Sequence, residues 1–354
     1  MSLTYQIKKE TRQRCRIWPI SVNFINEFRI LTMEQFGIFY DSDVADFSIF
    51  LQVGNEVIEY VKPSEFHHKE YLDQVRDVME KNYDHVYLMI KKEDEKKYTD
   101  YGRRVRREKI NKLLSDDPSL DRSTIEIFTD LTSATQLVVK GGITPEVADF
   151  ISNSTGRMIN EMIGNKHVMS TLSRMVQMDP SLYDHSASVS IIAGTIATTV
   201  LSHKLSTKIA ELVAICGIYH DIGKSEIPNH ILNKPGIFEP HEFEIMKTHT
   251  LKGYEELCRL IGDGAPIPDI AARVALEHHE KFDGTGYPHG KRGRAEDDPD
   301  NGIHIITRII TIANVYSALL MKRAYKPSYD AAESLKIMSE GSGLDYDPEL
   351  FIPF

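Results

Sequence analysis

Five histidines and one aspartate are the side chains in this sequence whose types and spacing could hold metal ions. They lie at helix ends or on helix faces of separate apolar segments: His185, His220, Asp221, His249, His278 and His279. Imidazole and carboxylate together suit iron, manganese or zinc better than magnesium. Six candidate ligands are more than one closed metal site needs. Because an aspartate has two oxygens, Asp221 could bridge two metals. The pattern indicates a metal site inside a helical bundle.

The segment HHEKFDGTGYP, residues 278–288, places a histidine pair beside a tightly specified loop. Its glycines permit positive φ and close backbone approach, and Pro288 restricts Tyr287 to extended geometry. We expect the loop to hold Tyr287 at a fixed angle, where it contacts a ligand or braces the loop. Asp283 is expected to tie the loop down through backbone N–H groups or to orient a ligand histidine.

The elements that must position these residues are helices. Beyond residue 124, nine segments carry apolar residues at helical spacing; they are 125–139, 145–163, 166–177, 185–205, 207–223, 239–261, 268–280, 304–324 and 328–340. The sequence therefore predicts an all-α bundle for this part of the chain.

The first part of the chain mixes strands and helices. We predict strands within 18–24, 46–53, 55–61 and 85–90, an amphipathic helix over 67–82, and a charged helix over 91–114. The polar segment 114–124 is the expected domain boundary. The predicted organisation is a strand-rich α+β regulatory or sensor domain over 1–115, a helical linker over 116–150 and the helical domain over 151–354.

Length and charge limit the classes of function. A chain of 354 residues suits two domains better than one. Residues 1–116 hold 20 Lys/Arg and 20 Asp/Glu, so the remainder carries the whole formal charge of −10. An acidic domain is poorly suited to nucleic-acid polymers. An anionic substrate would need positive charge from metals or from a few placed lysines and arginines.

Cysteine usage and hydropathy indicate the compartment. Cys15, Cys216 and Cys258 form no CxxC pair, which indicates reduced thiols. The first residues lack the apolar core of a signal peptide, and the most apolar run, 190–201, is too short to span a bilayer. We expect a cytoplasmic protein with no membrane partner.

Six motifs in a fixed order carry a family resemblance. They are YDHSASVS, HDIGK, IPNHILNKPG, MKTHTLKGYEEL, HHEKFDGTGYPHG and TRIITIANVYSAL followed by KRAY. Together they resemble an HD-GYP domain, the branch of the HD phosphohydrolase superfamily that hydrolyses cyclic di-GMP. The resemblance covers roughly residues 150–354. It implies a helical bundle fold, a cyclic di-GMP substrate and a phosphodiesterase activity with pGpG or GMP as product.

The resemblance also implies roles for individual residues. The five histidines and Asp221 would be the metal ligands, with Asp221 bridging two divalent ions, most readily iron and next manganese. Such a pair lowers the pKa of a bridging water and holds phosphate oxygens for in-line attack. Lys224, three residues after Asp221, would approach the scissile phosphate and stabilise its charge. Arg323, Tyr287 and Asp283 would bind substrate, the arginine through paired hydrogen bonds to phosphate.

The sequence departs from the family pattern at three positions. Asn314 and Ser317 replace the two aspartates of a motif of the form ADxxDAL, the first of which is the family's last metal ligand. Asparagine can coordinate through its carbonyl oxygen but brings no negative charge. Ser181 stands where some members carry a glutamate for a third metal. We therefore expect two metals and an altered site.

Two functions of different classes follow. One is a cyclic di-GMP phosphodiesterase, weakened by Asn314. The other is a cyclic di-GMP sensor or scaffold that binds without cleaving and signals through the N-terminal domain, as a homodimer or with a protein partner. A third hypothesis is hydrolysis of another phosphate ester such as a mononucleotide. The GYP loop, which ends in Gly286, Tyr287 and Pro288, disfavours it because a generic HD enzyme does not need that motif.

Overall fold

The computed structural model describes residues 17–19, 27–31, 45–53, 56–63, 86–141, 143–163, 165, 167–178, 184–200, 206–232, 234, 236–321 and 329–354. The predicted helix over 67–82, and the positions Ser181 and Arg323, lie outside these residues. The chain divides into two compact units, one of Met1–Asp116 with Asn233–Ile237, the other of Asp117–Leu232 with Phe238–Phe354. The predicted division into sensor, linker and helical domain remains a prediction.

The first unit contains an antiparallel sheet of order β1-β4-β3-β5-β2. Its strands are β1 (Ile17–Pro19), β2 (Phe28–Leu31), β3 (Ile49–Val53), β4 (Glu56–Val61) and β5 (Val86–Lys91). The sequence predicted all of these except β2. The side chains of Phe28, Phe50, Val57 and Met89 form a buried cluster, in which the first two rings meet edge to face at 4.8 Å.

One long helix, α1 (Glu95–Asp116), follows the sheet after a 3₁₀ turn at Lys92–Asp94. It corresponds to the predicted charged helix. The loop between α1 and the next helix is shorter than the predicted boundary segment 114–124, because α1 continues to Asp116 and the next helix begins at Arg122.

The second unit is helical. Its helices are α2 (Arg122–Gly141), α3 (Pro145–Met162), α4 (Val168–Met178), α5 (His185–Thr199), α6 (Thr207–Tyr219), α7 (Asn229–Leu232), α8 (Pro240–Lys247), α9 (His249–Gly262), α10 (Asp269–Glu277), α11 (Ile305–Leu320), α12 (Ala331–Ser339) and α13 (Pro348–Phe351), with a 3₁₀ turn at Ile222–Glu226. The sheet-bearing first unit and helical second unit agree with the predicted fold class. Among the described residues, no helix has the length and apolar character needed to cross a membrane.

Helix α5 is the centre of the helical unit. Ten of its residues are buried, and it packs against α6 and α11. Gly217 permits the contact with α6, because a Cβ at that position would lie 2.7 Å from the Cα of Ser190. The Ser190 hydroxyl also donates to the carbonyl of Ala214 at 2.8 Å. This close packing brings the start of α5 beside the end of α6.

Candidate metal centre

The candidate ligands lie where helices begin or end. His185 is the first residue of α5, and the Asp184 side chain caps that helix by accepting from the Ala187 N–H. His220 directly follows α6, and His278 directly follows α10. The sequence predicted His249 inside one helix over 239–261. That prediction was wrong, because α8 ends at Lys247 and His249 begins α9.

The structure brings the six candidates together in two groups. Within each group, one ligand atom per residue lies within 4.8 Å of the others; the groups are His185 with His220 and Asp221, and His249 with His278 and His279. No other such group of His, Cys, Asp and Glu occurs among the residues that the structure describes.

Asp221 faces both groups with different oxygens. Its Oδ2 lies 3.1 Å from the Nε2 of His220 and 3.7 Å from the Nε2 of His185. Its Oδ1 lies 3.4 Å from the Nε2 of His249 and 3.6 Å from the Nε2 of His278. One carboxylate, 9% exposed, therefore stands between two sets of imidazole nitrogens, an arrangement in which it could bridge two cations.

Backbone carbonyls fix how three of these rings are protonated. In each ring the Nδ1 atom contacts the carbonyl oxygen of the residue three positions earlier in the chain. The distances are 2.8 Å from His220 to Gly217, 2.6 Å from His249 to Met246 and 2.9 Å from His278 to Ala275. A carbonyl oxygen only accepts, so each Nδ1 carries the hydrogen. A neutral ring then presents the Nε2 lone pair to the cavity, as a metal ligand must.

These lone pairs fit divalent cations. The Nε2 atoms of His249 and His278 lie 3.3 Å apart, and in this tautomer neither can donate to the other. The Nε2 of His220 and the Oδ1 of Asp221 are buried without a hydrogen bond. Buried polar atoms without partners cost roughly 1–3 kcal/mol each. Cations between the rings would satisfy all four atoms at once.

The charge states favour the same conclusion. Burial lowers the pKa of His249 to about 3, and burial is also the main cause that lowers the pKa of His278 and of His279. Burial would raise the pKa of Asp221, but the neighbouring His220 ring and the ammonium group of Lys224 outweigh it and hold that pKa well below its usual range. At neutral pH these groups are neutral imidazoles and an ionised carboxylate, the forms that bind metals.

Lys224 lies at the same cavity. The 3₁₀ turn that follows Asp221 brings the Lys224 Nζ to 2.6 Å from the Asp221 Oδ2. The side chain is about one-third exposed, so the ammonium group reaches both the carboxylate and the surface.

Asn314 lies on the His185 side of the cavity. Its Oδ1 is 2.9 Å from the Nε2 of His185, and the Oγ of Ser317 is 2.8 Å from the Nδ1 of the same ring. Both residues belong to α11 and are buried. The group around His185 thus has a neutral amide oxygen where the family pattern has a carboxylate.

Tyr287 covers the opposite side. Its ring stacks on His279 at 4.8 Å between centroids and 17° between planes, and its N–H donates to the His279 carbonyl at 3.1 Å. Gly286 is required there, because a Cβ would lie 2.5 Å from that carbonyl oxygen. The loop therefore fixes the tyrosine against a candidate ligand, as the sequence indicated.

Asp283 is not brought to the metal ligands in the described structure. Its carboxylate accepts from the N–H and hydroxyl of Thr285 at 2.9 and 2.7 Å, and the backbone bond to Thr285 is the main cause that lowers its pKa. The loop-holding role expected from the sequence is present, whereas no contact to a histidine is seen.

Glu280 is a structural residue of this site that was not predicted from the sequence. This side chain is 1% exposed and accepts from the N–H groups of His289 and Lys291 at 2.7 and 2.9 Å. It closes the far end of the GYP loop onto the turn that carries His279. An acidic residue directly after the histidine pair was the signal that could have identified it.

We expect Glu280→Gln to lower the free energy of unfolding by roughly 1–3 kcal/mol. The amide NH₂ would replace one acceptor oxygen and face a backbone N–H that has no other partner in this loop. Urea unfolding checks this, with Glu256→Gln, at a side chain about one-third exposed, as control. Equal stability of the two variants would contradict the assignment of Glu280 as the residue that closes the loop.

Parts of the chain are similar in sequence to known proteins. A family model described as HD domain matches residues 170–350. A cyclic di-GMP phosphodiesterase from Thermotoga maritima is 36% identical over 177 residues, which cover 50% of this chain and 44% of that protein. A cyclic di-GMP phosphodiesterase from Pseudomonas aeruginosa is 31% identical over 209 residues, which cover 59% of this chain and 45% of that protein. The chain spans less than half the length of either relative.

A solved structure shares the fold. An HDG"Y"P protein from Bdellovibrio bacteriovorus aligns with a TM-score of 0.53 and 16% identity, over 92% of this chain and 97% of that one.

Proposed function

Because the chain belongs to the HD domain family, in its HD-GYP branch, we propose that it is a metal-dependent phosphodiesterase that hydrolyses cyclic di-GMP. The observation that carries the proposal is the position of Asp221, whose two oxygens face two separate groups of imidazole nitrogens. A centre of this kind suits phosphate-ester hydrolysis because it can hold two cations on one carboxylate.

We assign two divalent ions to the centre, iron first and manganese second. His185, His220, Asp221 and Asn314 would hold one ion, and His249, His278, His279 and Asp221 the other. When bound, such ions activate water and offset the negative charge of a phosphodiester. The preference for iron or manganese follows from the imidazole-rich ligand set.

The remaining residues bind and orient the substrate in this proposal. Lys224 donates to a phosphate oxygen, since its ammonium group already lies 2.6 Å from the Asp221 carboxylate. Tyr287 forms a wall of the cavity beside His279. Arg323 is assigned to phosphate on the family resemblance. Opening the cyclic dinucleotide gives linear pGpG, and a second cleavage gives GMP.

The test is product formation by the 354-residue chain loaded with iron or with manganese. We expect pGpG or GMP from cyclic di-GMP, with Asp221→Ala as the inactive control, and about two metal equivalents per chain. No product above that control with either metal would refute the phosphodiesterase proposal.

A second candidate function is a cyclic di-GMP sensor, with the N-terminal unit passing the signal to a partner or a second copy. The observation that favours it is Asn314, because its neutral amide leaves the His185 group with less negative charge to balance a cation. Calorimetry separates the candidates: cyclic di-GMP binding without turnover supports the sensor, and absence of binding refutes both.

We expect Asn314→Asp to raise metal affinity in the His185 group by roughly 10- to 100-fold and to increase turnover. The carboxylate adds one negative charge at the atom that now lies 2.9 Å from His185. Metal retained after dialysis against a weak chelator measures the effect. Asn160→Asp on the exposed face of α3 adds the same charge elsewhere; equal metal retention in both variants would contradict the role given to Asn314.

A further inference from the structure

A strip of aromatic and cationic side chains runs outward from the candidate metal centre. The Tyr287 ring, stacked on His279, meets the Phe243 ring edge to face at 6.4 Å and 82°. The Nζ of Lys247 lies 4.8 Å from the Phe243 centroid and 5.7 Å from the Tyr287 centroid. The strip connects a candidate ligand to the surface of α8 through direct contacts.

The outer end of this strip is open. Phe243 is 43% exposed, although burying a phenylalanine is worth about 1.5–3 kcal/mol. The packed side of α8 is formed by other residues, Glu242 and Met246. The Lys247 ammonium group, which lies over the rings, also pairs with the exposed Glu244 at 2.7 Å. The exposed ring and the oriented ammonium group are thus presented together beside the centre.

We propose that Phe243 and Lys247 form the binding site for a guanine base of the substrate. This proposal rests on the proposed function. It adds the residues that would bind a base of the substrate. Bases outside a duplex bind proteins by stacking on aromatic rings. Guanine presents two acceptors on one edge, O6 and N7, and lysine is a common partner for them. Adenine presents an amino group in place of O6, so a lysine there selects guanine.

Two ring contacts lead from the candidate metal ligands to the exposed ring. A phosphate at the metal ligands would lie beside His279, and the centroid distances of 4.8 and 6.4 Å measure the two steps from that ring to Phe243. The base attached to that phosphate through its sugar would pass Tyr287 and reach the exposed ring. Stacking at Phe243 would then fix the orientation of the phosphodiester at the centre.

The test compares a substrate with bases and one without. Metal-loaded variants of the 354-residue chain are assayed with cyclic di-GMP, with cyclic di-AMP and with bis(p-nitrophenyl) phosphate, which has no nucleobase. We expect Phe243→Ala to lower the ratio of kcat/KM for cyclic di-GMP to kcat/KM for the base-free diester by about tenfold, and Phe243→Trp to retain it. Phe150→Ala, which removes a phenylalanine of similar exposure, 37%, from α3, is the matched control.

Lys247 is tested by discrimination between bases. Lys247→Met keeps an unbranched apolar stem beside Phe243 but removes the donors, so we expect the preference for cyclic di-GMP over cyclic di-AMP to fall about fivefold or more. If the protein binds without turnover, the same ratios are measured as Kd values by calorimetry.

The outcomes separate this inference from the proposed function. If wild-type protein acts on or binds cyclic di-GMP and Phe243→Ala behaves like Phe150→Ala, the base site is refuted and the function stands. An unchanged base preference in Lys247→Met refutes the role of Lys247. If wild-type protein neither cleaves nor binds cyclic di-GMP, the proposed function fails and the base site with it.

Discussion

Replacing Asp221 with asparagine is expected to abolish loading of the two-metal centre while leaving the chain folded. An asparagine has the same shape but a single acceptor oxygen, so it can face one histidine group and not both. Its NH₂ group would point at the other group and donate to the Nε2 lone pair of His220, His249 or His278, which lie 3.1–3.6 Å from the present carboxylate. The variant would therefore exchange cation binding for hydrogen bonds.

Metal analysis and thermal unfolding measure this together. We expect wild-type protein to hold about two equivalents of metal and to unfold at a lower temperature after chelation, because ligands of the native state stabilise it. Asp221→Asn should hold almost no metal, lose about 100-fold in activity, and unfold at a temperature that chelation does not change.

The control is Asp263→Asn, which removes a carboxylate from an exposed ion pair with Arg259. Exposed pairs contribute about 0–1 kcal/mol, so this variant should keep its metal and its response to chelation. Two retained metal equivalents in Asp221→Asn would show that the carboxylate does not bridge, and the assignment of the centre would fail.

The sequence predicts the composition of this centre better than its geometry. Residue types and motif order identified all six ligand candidates and the surrounding helices, because the apolar periodicity of a buried helix is a local property. The helix ends at Tyr219, Lys247 and Glu277 were less visible. A candidate histidine follows each end within two residues. The apolar pattern also continues past Tyr219 and past Lys247, so it does not mark where these two helices stop.

Other features depended on neighbours distant in the chain. Strand β2, with the sequence FRIL, lacks regular alternation of apolar and polar residues and pairs with β5 along one edge of the sheet. Glu280 takes its role from the backbone N–H groups that it binds, and the exposed Phe243 from the Tyr287 ring beside it. Contacts between residues that are distant in the chain are determined by packing, and a local sequence pattern says little about them.

Gly223 illustrates a motif residue whose reason is tertiary. It stands between Asp221 and Lys224 in the 3₁₀ turn, and the turn packs against the first turns of α9. A Cβ at this position would overlap the His249 carbonyl oxygen and the Gly253 amide nitrogen, and would lie 2.9 Å from the Gly253 Cα. These are backbone atoms, so no side-chain rotation relieves the overlap.

We expect Gly223→Ala to separate the two halves of the metal centre. Relief of the overlap requires the turn to move away from α9, which lengthens the 3.4 Å distance between Asp221 Oδ1 and His249 Nε2. A displacement of about 1 Å at a catalytic group typically costs 10²-fold in rate, and overpacking costs roughly 1–3 kcal/mol in stability. Metal stoichiometry, turnover of cyclic di-GMP and chelator-sensitive unfolding should all fall together.

Gly262→Ala is the matched control for this change. It makes the same substitution at the last residue of α9, where a Cβ would meet nothing within 4 Å, and alanine favours a helix over glycine by up to about 1 kcal/mol. We expect normal metal content and equal or higher stability. If Gly223→Ala matches this control in metal content, the turn does not hold Asp221 against His249, and the close approach of the two backbones serves packing instead of the metal centre.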